Sequence, residues 1–134
     1  MPLRAHDWFR QAEADLRHAA HAREDGDFDW ACFAAQQAAE KAVKAVYEAY
    51  QLEGWGHTIS TLLGALPDSL KAVEDLIAKA KALDKHYIPT RYPNGFESGA
   101  PTDFYTVEEA DQAITHAGAI LAFCRTHLSS APGG

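Results

Sequence analysis

The sequence is poor in cysteine and has no long apolar run. Its two cysteines, Cys32 and Cys124, stand far apart at positions where helical periodicity predicts buried side chains. Isolated cysteines are typical of reduced proteins, and the N-terminal residues lack the apolar segment of a signal peptide. No apolar stretch approaches the roughly 20 residues that a membrane-spanning helix needs. We therefore expect a cytoplasmic protein with free thiols and no membrane partner.

Positive charge is also scarce. The 134 residues contain 12 Lys and Arg against 19 Asp and Glu, which gives a net charge of −7. This balance argues against a protein that binds polyanions over its whole surface. It leaves room for a local cationic pocket, because the field at a site depends on the nearby charges and not on their sum. The apolar fraction of 47% is typical of a globular chain, and the length fits one domain.

The common catalytic and metal-binding motifs are absent from the sequence. There is no Gly-x-Ser-x-Gly nucleophile turn, no Gly-x-x-x-x-Gly-Lys-Ser/Thr phosphate loop and no His-Glu-x-x-His zinc motif. His18 and His21 are three residues apart on a predicted helix, but no acidic partner motif accompanies them, so we interpret them as surface histidines. We therefore expect no metal site and no cofactor.

Helical periodicity accounts for most of the chain, and no strand-like alternation stands out. The predicted helices cover residues 4–24, 28–52, 59–66, 69–88 and 107–128. We expect an all-α fold, an antiparallel up-and-down bundle of four main helices plus one short helix. The bundle would span residues 1–128, and residues 129–134 would form a flexible tail.

Several residues predict where these helices begin and end. Gly26 stands where a left-handed C-terminal cap belongs, and Thr106 is followed by two glutamates, which is typical of a helix start. We expect Gly54-Trp55-Gly56 to end the second helix and Thr58 to cap the short third helix. The fourth helix would begin after Asp68 and bury a face that includes Val73.

The second predicted helix has two distinct faces. One face is apolar but small, which lets neighbouring helices approach closely and favours a central position in the bundle. The other face is a polar stripe that consists of Gln37, Glu40, Lys41, Lys44 and Glu48. Such a stripe is either a solvated surface with Glu40 and Lys44 as an i,i+4 pair, or a binding face.

A long segment without periodicity, residues 89–101, adds further candidates for binding. Arginine and lysine hold phosphates, and tyrosine rings offer surfaces on which bases stack. The candidate ligand-binding residues are Gln37, Glu40, Lys41, Lys44, His57, Tyr87, Arg91 and Tyr92, with Asp84 nearby in the chain. For Arg91 a structural role is the alternative, in which its guanidinium pairs with Glu40 or binds helix carbonyls and so fixes the loop.

Two long motifs in this sequence resemble the HEPN family, the "higher eukaryotes and prokaryotes nucleotide-binding" domains. Residues 30–45, WACFAAQQAAEKAVKA, resemble the family signature on its second helix. Residues 83–93, LDKHYIPTRYP, resemble the segment that marks the family branch with an Arg-Tyr-Pro loop. The resemblance extends over Gly26-Asp27-Phe28-Asp29 and His57-Thr58 and covers nearly the whole chain before residue 129.

This resemblance implies a helical bundle, usually a homodimer. Many family members are encoded beside a minimal nucleotidyltransferase and are proposed to bind nucleotides or to form a complex with it. A large subset are metal-independent ribonucleases that use an Arg-x4–6-His motif across the dimer interface. This sequence departs from that motif, because Arg91 is followed at the required spacing by Phe96, Glu97 and Ser98. The resemblance therefore leaves open whether the chain is an enzyme.

Three hypotheses follow from these patterns. The first is a dimeric module that binds a nucleotide or a nucleic-acid end and acts with a partner nucleotidyltransferase, as a toxin–antitoxin-like or nucleotide-transfer pair. The second is a ribonuclease with a non-standard site, in which His57 is the base and Arg91 holds the phosphate. The third is a purely structural or interaction module. The first requires the loop after Pro89 to fold back over the lysines of the second helix.

Overall fold

The structure is a computed structural model and describes residues 3–132. Its helices are α1 (Leu3–Glu24), α2 (Phe28–Ala49), α3 (Ile59–Gly64), α4 (Glu74–Asp84), α5 (Pro101–Phe104) and α6 (Val107–Ser129). The predicted all-α bundle of four main helices is confirmed: α1, α2, α4 and α6 are long, and α3 is the expected short helix. None of the described helices has the length and apolar character that crossing a membrane requires.

Helix α2 is the centre of the bundle, as its small apolar face predicts. It packs mainly against α1 on one side and α6 on the other. Six of its alanines are fully buried, and short side chains at these contacts let the helix axes come close. Several of the larger core side chains come from the surrounding elements, among them Ile59, Leu83 and Ile120.

Local sequence predicted two helix boundaries correctly. Gly26 has φ +83° directly after α1, in the left-handed region that glycine adopts without a steric penalty. At the start of α6, the Thr106 hydroxyl accepts a hydrogen bond from the Glu109 backbone N–H at 3.2 Å, and the Glu109 carboxylate accepts one from the Thr106 backbone N–H at 3.2 Å. This reciprocal pair is a complete capping box.

The predicted end of α2 was too late in the chain. The helix ends at Ala49 because Gln51 adopts the left-handed conformation, with φ 56°. The Leu52 N–H then donates to the Tyr47 carbonyl at 2.8 Å, and the Gln51 N–H donates to the Glu48 carbonyl at 3.2 Å. These two bonds form a Schellman motif, which directs Leu52 back onto the core.

The prediction of one continuous fourth helix with Val73 on its buried face was wrong. Residues Asp68–Leu70 form a single 3₁₀ turn, and α4 begins only at Glu74. Between them the backbone is extended, so alternate residues face the core: Leu70 and Ala72 are buried, whereas Val73 is 70% exposed.

The long segment after α4 is ordered by its own contacts. The Thr90 side chain is buried, and its hydroxyl donates to the His86 carbonyl at 2.6 Å. The segment contains a 3₁₀ turn at Pro93–Gly95 and ends in α5, where Phe96 and Phe104 stack with ring centroids 4.5 Å apart. Aromatic stacking of this kind fixes the path of a loop that lacks helical periodicity.

The segment predicted as a tail begins at the last residue of α6. Beyond Ser129, Ala131 is buried against Ala5 and Ala49. Residues 133 and 134 lie outside the described part of the chain. The predicted flexibility of the tail stays a prediction.

Candidate functional site

The carboxylate of Glu40 lies at the centre of a hydrogen-bonded network on α2. Glu40 is only 5% exposed, so the polar stripe is not uniformly solvated. Its Oε2 atom accepts from Lys44 Nζ at 3.1 Å and lies 2.9 Å from His57 Nδ1, and its Oε1 atom accepts from Gln36 Nε2 at 3.1 Å. A buried carboxylate is stable only when partners replace its lost water, and these three provide that replacement.

The network also orients the His57 ring. An ionised carboxylate only accepts hydrogen bonds, so His57 Nδ1 donates to Glu40. The other ring nitrogen, Nε2, is then the one that can exchange a proton or contact a ligand. The His57 side chain is 54% exposed, so part of the ring is accessible to a ligand.

His57 is positioned by a cap that comes from a distant part of the chain. Thr58 stands at the predicted N-cap position of α3, but its side chain makes no cap hydrogen bond. Instead Asp84, the last residue of α4, accepts from the backbone N–H groups of Ile59 at 2.6 Å and Ser60 at 3.2 Å. A carboxylate suits this place because the free N–H groups and the helix dipole are positive there. The cap ties the segment after His57 to the end of α4.

Tyr87 joins His57 to the loop. The two rings stack with centroids 4.7 Å apart and an interplanar angle of 17°. Arg91 lies at the same tyrosine, with its Cζ atom 4.8 Å from the ring centroid. Arg91 also lies 4.4 Å from the Phe33 centroid and 5.2 Å from that of Tyr92. Three aromatic rings therefore surround one guanidinium, an arrangement with favourable cation–π energy.

The hydrogen bonds of Arg91 go to the backbone and leave its charge without a carboxylate. Its Nε and one terminal nitrogen donate to the Tyr87 carbonyl at 3.0 and 2.8 Å. This agrees with carbonyl binding, one of the two structural roles considered for Arg91; the other partner, Glu40, pairs with Lys44 and His57 instead. Within residues 3–132, no acidic side chain forms a salt bridge with Arg91.

The structure separates the two lysines of the stripe. Lys44 belongs to the Glu40 network, whereas Lys41 Nζ pairs with Asp15 of α1 at 2.6 Å. Gln37 lies at the edge of the network and donates to the Gln36 side chain at 2.7 Å. Seven of the eight predicted binding residues are therefore joined by hydrogen bonds or ring contacts, in part through Gln36. The eighth, Lys41, faces α1. Their roles in ligand binding stay predictions.

Four contributors to this surface were missed by sequence reasoning. Phe33 and Gln36 each lie four residues before a member of the polar stripe, Gln37 and Glu40. Extending the stripe toward the N-terminus at this spacing would have included them. Trp8 lies under Lys44, whose Nζ is 5.9 Å from the ring centroid. Trp55, which is 84% exposed, stands in the turn after α2. No local sequence signal links these two tryptophans.

A cleft of about 280 Å³ lies between these tryptophans. It is lined by Trp8, Lys44, Tyr47, Glu48, Leu52, Gly54, Trp55, Gly56 and His57. His57 thus faces both the cleft and the Tyr87 ring. A ligand at His57 can therefore contact the aromatic rings around Arg91, those of the cleft, or both.

The described residues contain no cluster of three or more His, Cys, Asp or Glu side chains that could hold a metal ion. Both cysteines are free and buried. Burial, with smaller effects of Glu109 and Asp29, raises the pKa of the Cys32 thiol to about 12. Burial also raises the pKa of Cys124. Neither thiol has the accessible thiolate that a nucleophile needs.

Comparison with known proteins agrees with this fold. The family model described as "HEPN domain" matches residues 5–127. TT1696 from Thermus thermophilus is 48% identical, with a TM-score of 0.91 over 92% of this chain and 98% of that chain. ST0689, an archaeal HEPN homologue, is 40% identical, with a TM-score of 0.79 over 92% of this chain and 97% of that one.

Two further relatives extend the comparison. The HEPN domain protein tm0613 from Thermotoga maritima is 36% identical, with a TM-score of 0.74 over 92% of this chain and 98% of that one. "Putative toxin MJ1304" from Methanocaldococcus jannaschii is 27% identical over 136 residues, which cover 94% of this chain and 89% of the relative. Family match, sequence identity and helix arrangement lead to one conclusion: this chain belongs to the HEPN domain family.

Proposed function

We propose that this chain is a helical module that binds a nucleotide or the end of a nucleic acid, at the surface formed by Arg91, Tyr87, His57 and Lys44. The phosphate would lie against Arg91 and the exposed edge of His57. The base would stack on the exposed ring of Tyr92, because His57 and Arg91 already lie against the ring of Tyr87. Gln37 and Glu40 would support the site from α2.

One observation carries this proposal: the Arg91 guanidinium is surrounded by aromatic rings and has no salt bridge within residues 3–132. The carbonyl of Tyr87 that binds Arg91 carries no net charge, so the positive charge of the guanidinium is available to an anionic ligand. Tyr92 is 48% exposed beside it and offers a ring to a ligand. A cation with unsatisfied charge next to exposed π surfaces is the combination that binds nucleotides and single strands.

The similarity to "Putative toxin MJ1304" supports a role in a two-protein system. We propose that the chain acts with a minimal nucleotidyltransferase, in a toxin–antitoxin-like or nucleotide-transfer pair, and that it is a homodimer. Ile88, which follows Tyr87, and Phe104 of α5 are 47% and 46% exposed and offer apolar side chains to a second copy. Light scattering coupled to gel filtration tests the dimer, and co-purification with the product of a neighbouring nucleotidyltransferase gene tests the pair.

Calorimetric titration with AMP tests the binding site directly. We expect millimolar or tighter binding by the wild type and a loss of about tenfold or more for Arg91→Ala. Arg91→Lys keeps the charge but removes the planar fork, so it should restore only part of the affinity. Arg10→Ala is a matched control, because the Arg10 side chain is 80% exposed on α1 and away from the loop.

The two lysines of α2 provide a second, internal comparison. Both pair with a carboxylate, but only Lys44 joins the His57 network. We expect Lys44→Ala to weaken AMP binding more than Lys41→Ala. No AMP binding by the wild type at millimolar concentration would contradict the proposal. A lower melting temperature of Arg91→Ala with unchanged affinity would instead support the structural and interaction module.

A ribonuclease is the second candidate, and the Glu40–His57 pair favours it. A carboxylate that holds Nδ1 orients the ring so that Nε2 can accept a proton from a ribose hydroxyl. Arg91 would neutralise the phosphate on the other side of Tyr87. Cleavage of single-stranded and structured RNA by the wild type, with loss in His57→Ala and reduction in Glu40→Gln, would establish it. Equal residual cleavage in all three proteins would indicate a contaminant.

A further inference from the structure

We propose that the cleft between Trp8 and Trp55 is a base-stacking subsite, so that the binding surface takes at least two nucleotides of a single strand. This inference rests on the proposed function, because the first nucleotide would occupy the Arg91 and His57 surface described above. It adds a ligand class, a single strand with a phosphate between two bases. It also assigns a role to two tryptophans that the predicted site did not include.

The cleft is built by a close backbone approach and not by a mobile surface turn. Gly54 lies directly on the Tyr47 ring: a Cβ atom at residue 54 would be 2.7 Å from that ring, closer than atoms pack. Tyr47 is itself fixed, since its hydroxyl donates to the Leu62 carbonyl at 2.6 Å. Trp55 follows Gly54 and lines the cleft, with 84% of its surface exposed.

The size and charge of the cleft suit a base better than a phosphate. Its volume of about 280 Å³ is at the small end of ligand pockets. Its charged lining is balanced, because Lys44 supplies one cation and Glu48 one anion. A doubly charged phosphate gains little in such a field. A flat neutral ring gains stacking area on tryptophan, and the nearby ammonium of Lys44 can reach its carbonyl or ring nitrogens.

The cleft is continuous with the first subsite. His57 lines the cleft, and its ring stacks on Tyr87, which in turn contacts Arg91. A strand that places one base at Tyr92 and the next in the cleft would pass His57 with its linking phosphate. Alternation of rings that stack bases with cations that hold the backbone is typical of surfaces that bind single strands.

Exposed Trp55 could also mark a protein contact, but the lining argues against it. The cleft is concave and contains charged side chains from α2, whereas contact cores are depleted in charge. A single strand is therefore the occupant that the geometry favours.

A comparison of AMP with the dinucleotide pApA tests the subsite. We expect wild type to bind pApA about tenfold more tightly than AMP, which corresponds to about 1.4 kcal/mol. Trp55→Ala should remove that advantage and leave AMP binding within twofold. Trp55→Phe keeps a stacking ring and should restore most of it. Trp30→Ala is the matched control, because Trp30 is also exposed but contacts Phe33 at the first subsite; it should affect both ligands alike.

The outcomes separate this inference from the proposed function. Equal affinity of the wild type for AMP and pApA, or unchanged pApA binding by Trp55→Ala, would overturn the second subsite and leave the first. Absence of AMP and pApA binding would overturn both. A change in oligomeric state for Trp55→Ala, with pApA affinity unchanged, would overturn the inference in favour of a protein contact.

Discussion

Asp84, the last residue of α4, caps the start of α3 by accepting a hydrogen bond from the Ile59 backbone N–H at 2.6 Å. Its second oxygen accepts from the Ser60 hydroxyl, also at 2.6 Å. His57 precedes α3 and Tyr87 follows α4, so this cap connects the two segments whose rings stack. The candidate site therefore depends on a contact between residues 25 positions apart.

Loss of this cap should destabilise both the fold and the site. We expect Asp84→Ala to lower the free energy of unfolding by about 1–2 kcal/mol, the usual range for removal of a helix cap. Urea denaturation followed by circular dichroism measures this change. Asp75→Ala is the control: Asp75 is on the same helix and forms an exposed ion pair with Lys79, so its removal should cost much less. Equal costs would contradict the assigned role of the cap.

At the C-terminal ends of α1 and α2, we expect opposite effects on stability when glycine is removed and when it is introduced. Both Gln51 and Gly26 adopt the left-handed conformation. This conformation has a steric cost for Gln51, which carries a Cβ atom, and none for Gly26. We expect Gln51→Gly to raise the free energy of unfolding by about 0.5–1 kcal/mol and Gly26→Ala to lower it by about 1 kcal/mol. Thermal melts of the two variants and the wild type provide the test. A destabilised Gln51→Gly would indicate that the Gln51 side chain makes a favourable contact.

Stability should fall when the pH drops below about 6.5, the ordinary pKa of histidine. Burial lowers the pKa of His86, partly opposed by Glu109, and its Nδ1 atom is buried without a hydrogen-bond partner among the described residues. The unfolded chain therefore binds a proton at a pH where the folded chain does not, which favours unfolding. His116 has the same shift, with burial as the main cause.

Denaturant titrations between pH 7.5 and 5 measure this dependence. His86→Phe keeps an aromatic ring beside Tyr105 but cannot titrate, so its stability should fall less steeply with decreasing pH. If the free energy of unfolding fell equally steeply with decreasing pH in His86→Phe and in the wild type, His86 would not be the cause of the pH dependence.

The two thiols should react only when the protein unfolds. Burial raises the pKa of Cys32 to about 12, and burial raises that of Cys124 as well, so little thiolate is present at pH 8. We expect slow reaction with a chromogenic disulfide reagent in buffer and rapid reaction of two thiols per chain in denaturant. Fast modification of one thiol in the native protein would show that a helix opens locally.

Local signals predicted much of the helical architecture. Gly26 and the Thr106–Glu109 capping box act within one turn of chain, so the sequence contains their full cause. The prediction failed where the backbone leaves the helical period. Around Val73, the spacing of the apolar residues matches one face of a helix. The segment is extended instead, so Ala72 is buried and Val73 is exposed. For a short run of apolar residues, periodicity alone does not distinguish an extended segment from a helix.

The candidate site was predictable in its residue types but not in its connections. Lys41 and Lys44 lie three residues apart on one helix face, yet Asp15 of α1 binds one and Glu40 binds the other. Likewise, nothing in the sequence places Trp8 and Trp55 at one cleft. Their proximity results from how α1 and the turn after α2 pack on the central helix.

The amino-acid sequence determined where the long helices lie, most of their buried faces and the motifs of its family, because each of these depends on short spacings along one segment. The tertiary structure decided that Glu40 is buried, that Arg91 is enclosed by rings and that Asp84 caps a distant helix. The physical reason is that periodicity fixes the direction of a side chain only relative to its own helix axis. Which charge or ring it meets depends on the neighbour that packing brings to that face.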